Sequence, residues 1–180
     1  MKLKRILTAT AISALMLSAA TAPAMAGDRA PAKKKPESIS FVVGSDKATI
    51  AANDQGKIIL TMTKVDPSVA WFADRPARNS GVLKVSKIPA IWTSGGKNSF
   101  KAVPPNAAVT THTADGKMHV ALVTLTKPMF DAKAGSMSFQ VTPLKGSKVV
   151  KSGNLGQTNV FIDNYTFQDF MNCLLFGEDC

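Results

Sequence analysis

From Ser38 onward the apolar residues recur with a period of two, and this alternation restricts the fold more than any other feature. In KIILTMT, Ile58, Leu60 and Met62 fall on one side of an extended chain, and Lys57, Ile59, Thr61 and Thr63 on the other. In MHVALVTLT, Met118, Val120 and Leu122 alternate with His119, Ala121, Val123 and Leu125, so that strand is apolar on both sides and is expected to be central. Turn signals separate the runs: Asn53-Asp54-Gln55-Gly56, Asp66-Pro67, Ala114-Asp115-Gly116-Lys117 and Ala134-Gly135. The pattern predicts about eight strands, at 39–43, 47–52, 57–63, 68–73, 82–86, 107–112, 118–126 and 136–142. Short strands at this spacing give an all-β fold, here an antiparallel β-sandwich. Lys87 to Asn106 interrupts the pattern with Pro89, Gly95-Gly96 and Pro104-Pro105. It reads as a long excursion carrying Trp92 and Phe100, either functional or packed over one end of the core.

The two ends of the chain follow other rules. Lys2, Lys4 and Arg5 precede an apolar run from Ile6 to Ala20, and Ala24-Met25-Ala26 has the small-x-small spacing of a cleavage site. Residues 1–26 are therefore expected to be a secretory signal peptide. The apolar run is shorter than the roughly 20 residues a transmembrane helix needs. Residues 27–37 form a basic linker with no large apolar residue, and residues 38–180 a single domain. At the other end, Phe167, Phe170, Met171 and Leu174 recur at helical spacing ahead of Gly177, which predicts one short amphipathic helix over about 166–176. Its apolar stripe packs against the sandwich or docks to a partner. Cys173 and Cys180 are expected to meet an oxidising compartment, where a bridge between them pins the tail. An intermolecular bridge and a metal site are the alternatives.

Loss of residues 1–26 lowers the formal charge from +10 to +7. Residues 38–151 hold 15 Lys or Arg against 6 Asp, whereas residues 152–180 hold four acids and no base. A basic body of this kind suits an anionic polymer of a cell envelope, a protein partner, or its own acidic end; otherwise it is simply solvated. Nucleic acid is not expected, because the basic residues do not interleave with aromatics and export removes that partner.

The chemical inventory is thin. His112 and His119 flank the Asp115-Gly116 turn, and a tight two-residue loop there pairs them across neighbouring strands. That pairing makes half of a metal site, a pH-sensitive pair, or two surface histidines at a hairpin end. No Ser-His-Asp spacing, phosphate loop, HExxH or CxxC appears, and no cofactor is indicated. Trp-Phe-Ala-Asp-Arg-Pro at 71–76 admits two readings. Either Asp74, Arg75 and Pro76 lock a structural corner, or Trp71, Arg75 and Arg78, with Trp92 from the excursion, present an aromatic and cationic surface to an anionic ligand or sugar.

WFADRPAR, then Asn98-Ser99-Phe100, then Pro104-Pro105-Asn106-Ala107 resembles a group of small exported bacterial proteins. These carry a Phe-(Ser or Ala)-Asp-Arg-Pro segment, a Ser-Phe and a Pro-Pro-Asn-Ala in that order. The likeness covers roughly residues 58–142. It implies no catalytic residue and brings forward Asp74, Arg75, Pro76, Phe100, Pro104, Pro105 and Asn106; the segment KVSKIPAIWTSGGK departs from the acidic or aromatic middle of many relatives. The expected function is an exported, non-catalytic binding protein, periplasmic or secreted, whose basic face meets an anionic partner. The alternatives are a small-molecule or metal binder using His112 and His119, or a hydrolase without a recognisable motif.

Overall fold

The computed structural model describes residues 38–76, 78–113, 115–149 and 152–166. The expected signal peptide and linker, the bulk of the expected helix and both cysteines lie outside these residues. Eight antiparallel strands make the fold: β1 (Ser38–Ala52), β2 (Ile58–Val65), β3 (Ser68–Ala73), β4 (Ser80–Lys84), β5 (Asn106–Thr113), β6 (Met118–Asp131), β7 (Ser136–Pro143) and β8 (Gly153–Thr166). A six-residue helix, α1 (Ile88–Thr93), lies between β4 and β5. The all-β antiparallel expectation holds, with two changes in how the strands are made. The runs 39–43 and 47–52 are one strand, and β8 occupies a stretch where no strand was expected, carrying Thr166 with it instead of leaving it to the helix.

The strand order is β2-β7-β6-β5-β8-β1-β3-β4, and β1 also pairs with β2. One side of β1 runs beside β8 along its length. Its other side changes partner, from β3 at residues 39–42 to β2 at residues 45–52. The ladder from β2 round to β1 thus returns to β2 and closes, while β3 and β4 extend from the first half of β1 as a flap. Closure removes the two unpaired edges that β2 and the second half of β1 would otherwise expose.

Gly44 marks where β1 changes partner. Its carbonyl accepts the Asp66 N–H at 3.0 Å, and a methyl group at this position would collide with the Asp66 carboxylate and lie 3.2 Å from the Asn159 side chain. The glycine serves close approach and does not make a turn.

The interior follows the pleat: Ile39, Phe41 and Val43 of β1, Leu60 and Met62 of β2, Met137 and Phe139 of β7, and Val160 and Ile162 of β8 are buried. The excursion after β4 plugs one end. Pro89 sits in the first turn of α1, where its missing N–H costs nothing, and Gly95 (φ 86°) turns the chain away after the helix. Ile88, Ile91 and Trp92 face inward, and the Trp92 ring lies 4.9 Å from Phe100 and 5.8 Å from Phe139. Phe100 in turn meets Tyr165 edge-on at 4.7 Å, and Phe41 at 6.4 Å. Buried Ser94 anchors the plug: its hydroxyl donates to the Ile91 carbonyl at 3.0 Å and shares a hydrogen bond with the Tyr165 hydroxyl.

Candidate functional site

The 71–76 segment closes the flap against β1. The Asp74 N–H donates to the Ser38 carbonyl at 2.9 Å, and the Asp74 carboxylate accepts from the Ser38 hydroxyl. The Asp74 carboxylate thus ties the flap to the first residue of β1. The Ala73 N–H donates to Asn79 O at 2.8 Å, and the Arg75–Pro76 peptide is cis. The second half of the resemblance has a structural place as well. The Pro105 carbonyl accepts the Leu125 N–H at 3.0 Å, and Asn106 opens β5 with its Oδ1 accepting from Thr124 Oγ1 at 3.3 Å. These residues fasten loops to strands. Because the Ser38–Asp74 bond is exposed, Asp74→Ala is expected to cost only about 0.5–1.5 kcal/mol in chemical denaturation. Arg75→Gln and Arg78→Gln are expected to stay within about 0.5 kcal/mol of the parent.

Trp71 differs from Arg75 and Arg78 in its exposure. Trp71 is half-buried, pairs with Phe41 across the sheet and packs against the core side, with its indole over Gly81. A methyl group at Gly81 would approach the indole nitrogen to 2.9 Å, so a glycine is what lets the ring lie there. Arg75 and Arg78 are exposed. Trp92 is 4% exposed and belongs to the plug.

The histidine pairing is corrected by one position. Thr111 pairs with His119, and His112 with Met118, because five residues, Thr113 to Lys117, separate the last paired positions of the ladder instead of two. Adjacent positions on a strand face opposite ways, so the two imidazoles lie on opposite faces of the sheet. His119 borders a cavity of about 30 Å³ lined by apolar side chains such as Ile50, Leu60 and Val109. Among the described residues no three His, Cys, Asp or Glu side chains gather as a metal site. Asp115 organises the loop instead, accepting from the Thr113 hydroxyl and pairing with Lys117 at 3.0 Å. The Thr113 hydrogen bond, then Lys117, holds its carboxyl below the usual range. A lowered folded value favours the ordered loop above the ordinary carboxylate range and loses that contribution as pH falls through the lowered value. Protection of the Gly116 N–H, which donates to Thr113 O at 2.8 Å, relative to its intrinsic exchange rate is expected to fall over that acid window.

An arrangement that joins aromatic and cationic groups lies beside the plug. A groove of about 540 Å³ has Trp92, Phe100, Pro89 and Pro128 in its lining, with Lys101 and Lys127 among them. Thr93, Thr126 and Gln140 complete it, and no acid is present. Local backbone features hold the two lysines in place. The Lys101 N–H donates to the Trp92 carbonyl at 2.8 Å, which fixes one wall to the helix. On the other wall, Thr126 pairs with Gln140 and Met129 with Ser138, so β6 carries one residue more than β7 over that interval. The extra residue makes a β-bulge, and Lys127 occupies it at φ 50°, a left-handed conformation that non-glycine residues rarely adopt. Bulges re-aim side chains and gather beside functional sites. Sequence reasoning placed Trp92 and Phe100 in the excursion but had no reason to join them to Lys127, since nothing in TLTKPMF marks a bulge beforehand.

No helix among the described residues is long and apolar enough to cross a membrane. Comparison with protein-family models, with curated proteins and with solved structures found no match to the chain.

Proposed function

We propose that the protein is an exported, non-catalytic binding protein, periplasmic or secreted, whose basic body meets an anionic envelope partner through the groove beside α1. One observation carries this reading: Lys101 and Lys127 share a groove that contains no acid. The wider charge balance supports it. The described residues hold 14 Lys or Arg against 7 Asp, yet they form a single ion pair, Lys117 with Asp115. The other cations thus have no ion-pair partner among the described residues, and an acidic polymer can neutralise them without displacing an existing salt bridge.

The test is retention of residues 27–180 on immobilised polyglutamate and on immobilised alginate, a polyuronate. Retention on both is expected to fall steeply between about 0.05 M and about 0.5 M salt, because exposed charges are screened within a few ångströms at the higher value. Binding that ignores salt, or no binding to either matrix, sinks the reading. Joint replacement of Lys101 and Lys127 by Gln is expected to weaken retention at least tenfold, and the same change at Lys47 and Lys57 by far less.

A further inference from the structure

We propose that the groove recognises one acidic sugar unit of such a polymer, and does not simply collect negative charge; this rests on the reading above. Three features of the lining separate a sugar from a generic polyanion. The floor is apolar and rigid: Pro89 and Pro128 line it over the edges of Trp92 and Phe100, which the core holds at 4% and 3% exposure. Such a floor suits the C–H face of a saccharide ring, which a flexible acidic peptide does not offer. The two ammonium groups supply the site for a carboxylate, and lysine is a compact charge with three donors that adapts to one.

The third feature is unspent neutral hydrogen bonding. Gln140 is half-buried in the groove, and its side-chain amide has no hydrogen bond among the described residues. Thr126 donates its hydroxyl proton to the Gln140 carbonyl at 3.4 Å, which leaves the Thr126 oxygen free to accept. A donor-and-acceptor amide beside an acceptor hydroxyl matches the hydroxyl groups of a sugar. A polycarboxylate chain has no hydroxyl donor to offer them. Sites that pair an apolar floor with a few placed polar groups are the usual form of small-ligand recognition.

The bulge explains how the site stays specific. Lys127 keeps a backbone conformation that glycine would adopt at less cost, as Lys64 and Arg78 do away from the groove. Lys127→Gly is therefore expected to leave the melting temperature unchanged or raised while binding weakens, which separates a ligand role from a folding role.

The experiment uses residues 27–180, a tetrasaccharide of alginate, a neutral cellotetraose and polyglutamate of similar length. In two-dimensional NMR titrations the uronate is expected to move the Trp92 indole and Gln140 amide signals together, and cellotetraose at most weakly. Gln140→Ala is expected to weaken the uronate at least fivefold and leave polyglutamate within twofold. Lys127→Gly is expected to weaken both. If polyglutamate and the uronate bind equally and Gln140→Ala changes neither, the sugar inference is overturned while the polyanion reading stands. If Lys127→Gly leaves uronate binding intact, the groove is not the sugar's site. Loss of salt-sensitive retention in the parent protein would remove both readings at once.

Discussion

Trp92→Ala is expected to lower the free energy of unfolding by about 3–5 kcal/mol, the range for truncating a buried aromatic in a packed core. The indole joins α1 to the barrel-like interior through Phe100 and Phe139, so its loss opens a void where the plug meets the sheet. Small domains have only about 5–15 kcal/mol of stability in total, and the variant is expected to unfold at markedly lower denaturant concentration. Tyr165→Phe serves as the calibrating change. It removes the bond to Ser94 but leaves Ser94 donating to Ile91 O at 3.0 Å, so the loss is expected to stay near 0.5–1.5 kcal/mol. Urea denaturation of the pair decides the matter. A Trp92→Ala loss below about 1 kcal/mol would mean that the plug is not part of the core, and the groove beside it would lose its rigid floor.

Alternation alone located β2, β3, β5, β6 and β7 to within a few residues, because each keeps one parity of inward residues over most of its length. Two strands were misread where parity changes. In β1 the inward positions pass from Phe41 and Val43 to Ala48 and Ile50, and the Gly44-Ser45-Asp46 cluster looks like a turn. Partner exchange from β3 to β2 explains both signs, and no single sequence announces it. In β8 the inward set is Leu155, Thr158, Val160 and Ile162, with the register shifting opposite Thr111 and Thr113. A hydroxyl residue in one inward slot and a parity change beside it make GNLGQTNVFIDNYT read as loop. The histidine error has the same scale, a single residue. Five residues between the last paired positions, in place of two, move His119 opposite Thr111, and that is enough to turn one imidazole to the other face. The groove was less legible still, since it joins residues from Pro89 to Gln140 through a bulge. Side-chain chemistry was readable from the chain, but backbone irregularity was not.

Thr158 shows what the misread strand does, and Thr158→Val is expected to cost about 1–3 kcal/mol. The residue is fully buried at the centre of β8, between β1 and β5. Its Oγ1 lies 2.8 Å from the Thr111 hydroxyl and donates to the Gly156 carbonyl at 2.9 Å. Valine keeps the shape and removes the bond between the two hydroxyls, leaving Thr111 with a methyl group on that side and only the long 3.3 Å bond to the His112 carbonyl. Removing the second hydroxyl as well takes away that weakly bonded group, so Thr111→Val with Thr158→Val is expected to be less destabilised than the sum of the single changes. A coupling of about 1 kcal/mol or more in the double-mutant cycle is the expected result. Additive losses would show that the two hydroxyls act independently, and that the junction of β8 with β5 is held by backbone pairing alone. Since β8 is the strand that joins β5 to β1, loosening it is expected to open the ring, and amide exchange in Val109 and Val160 should accelerate with the loss.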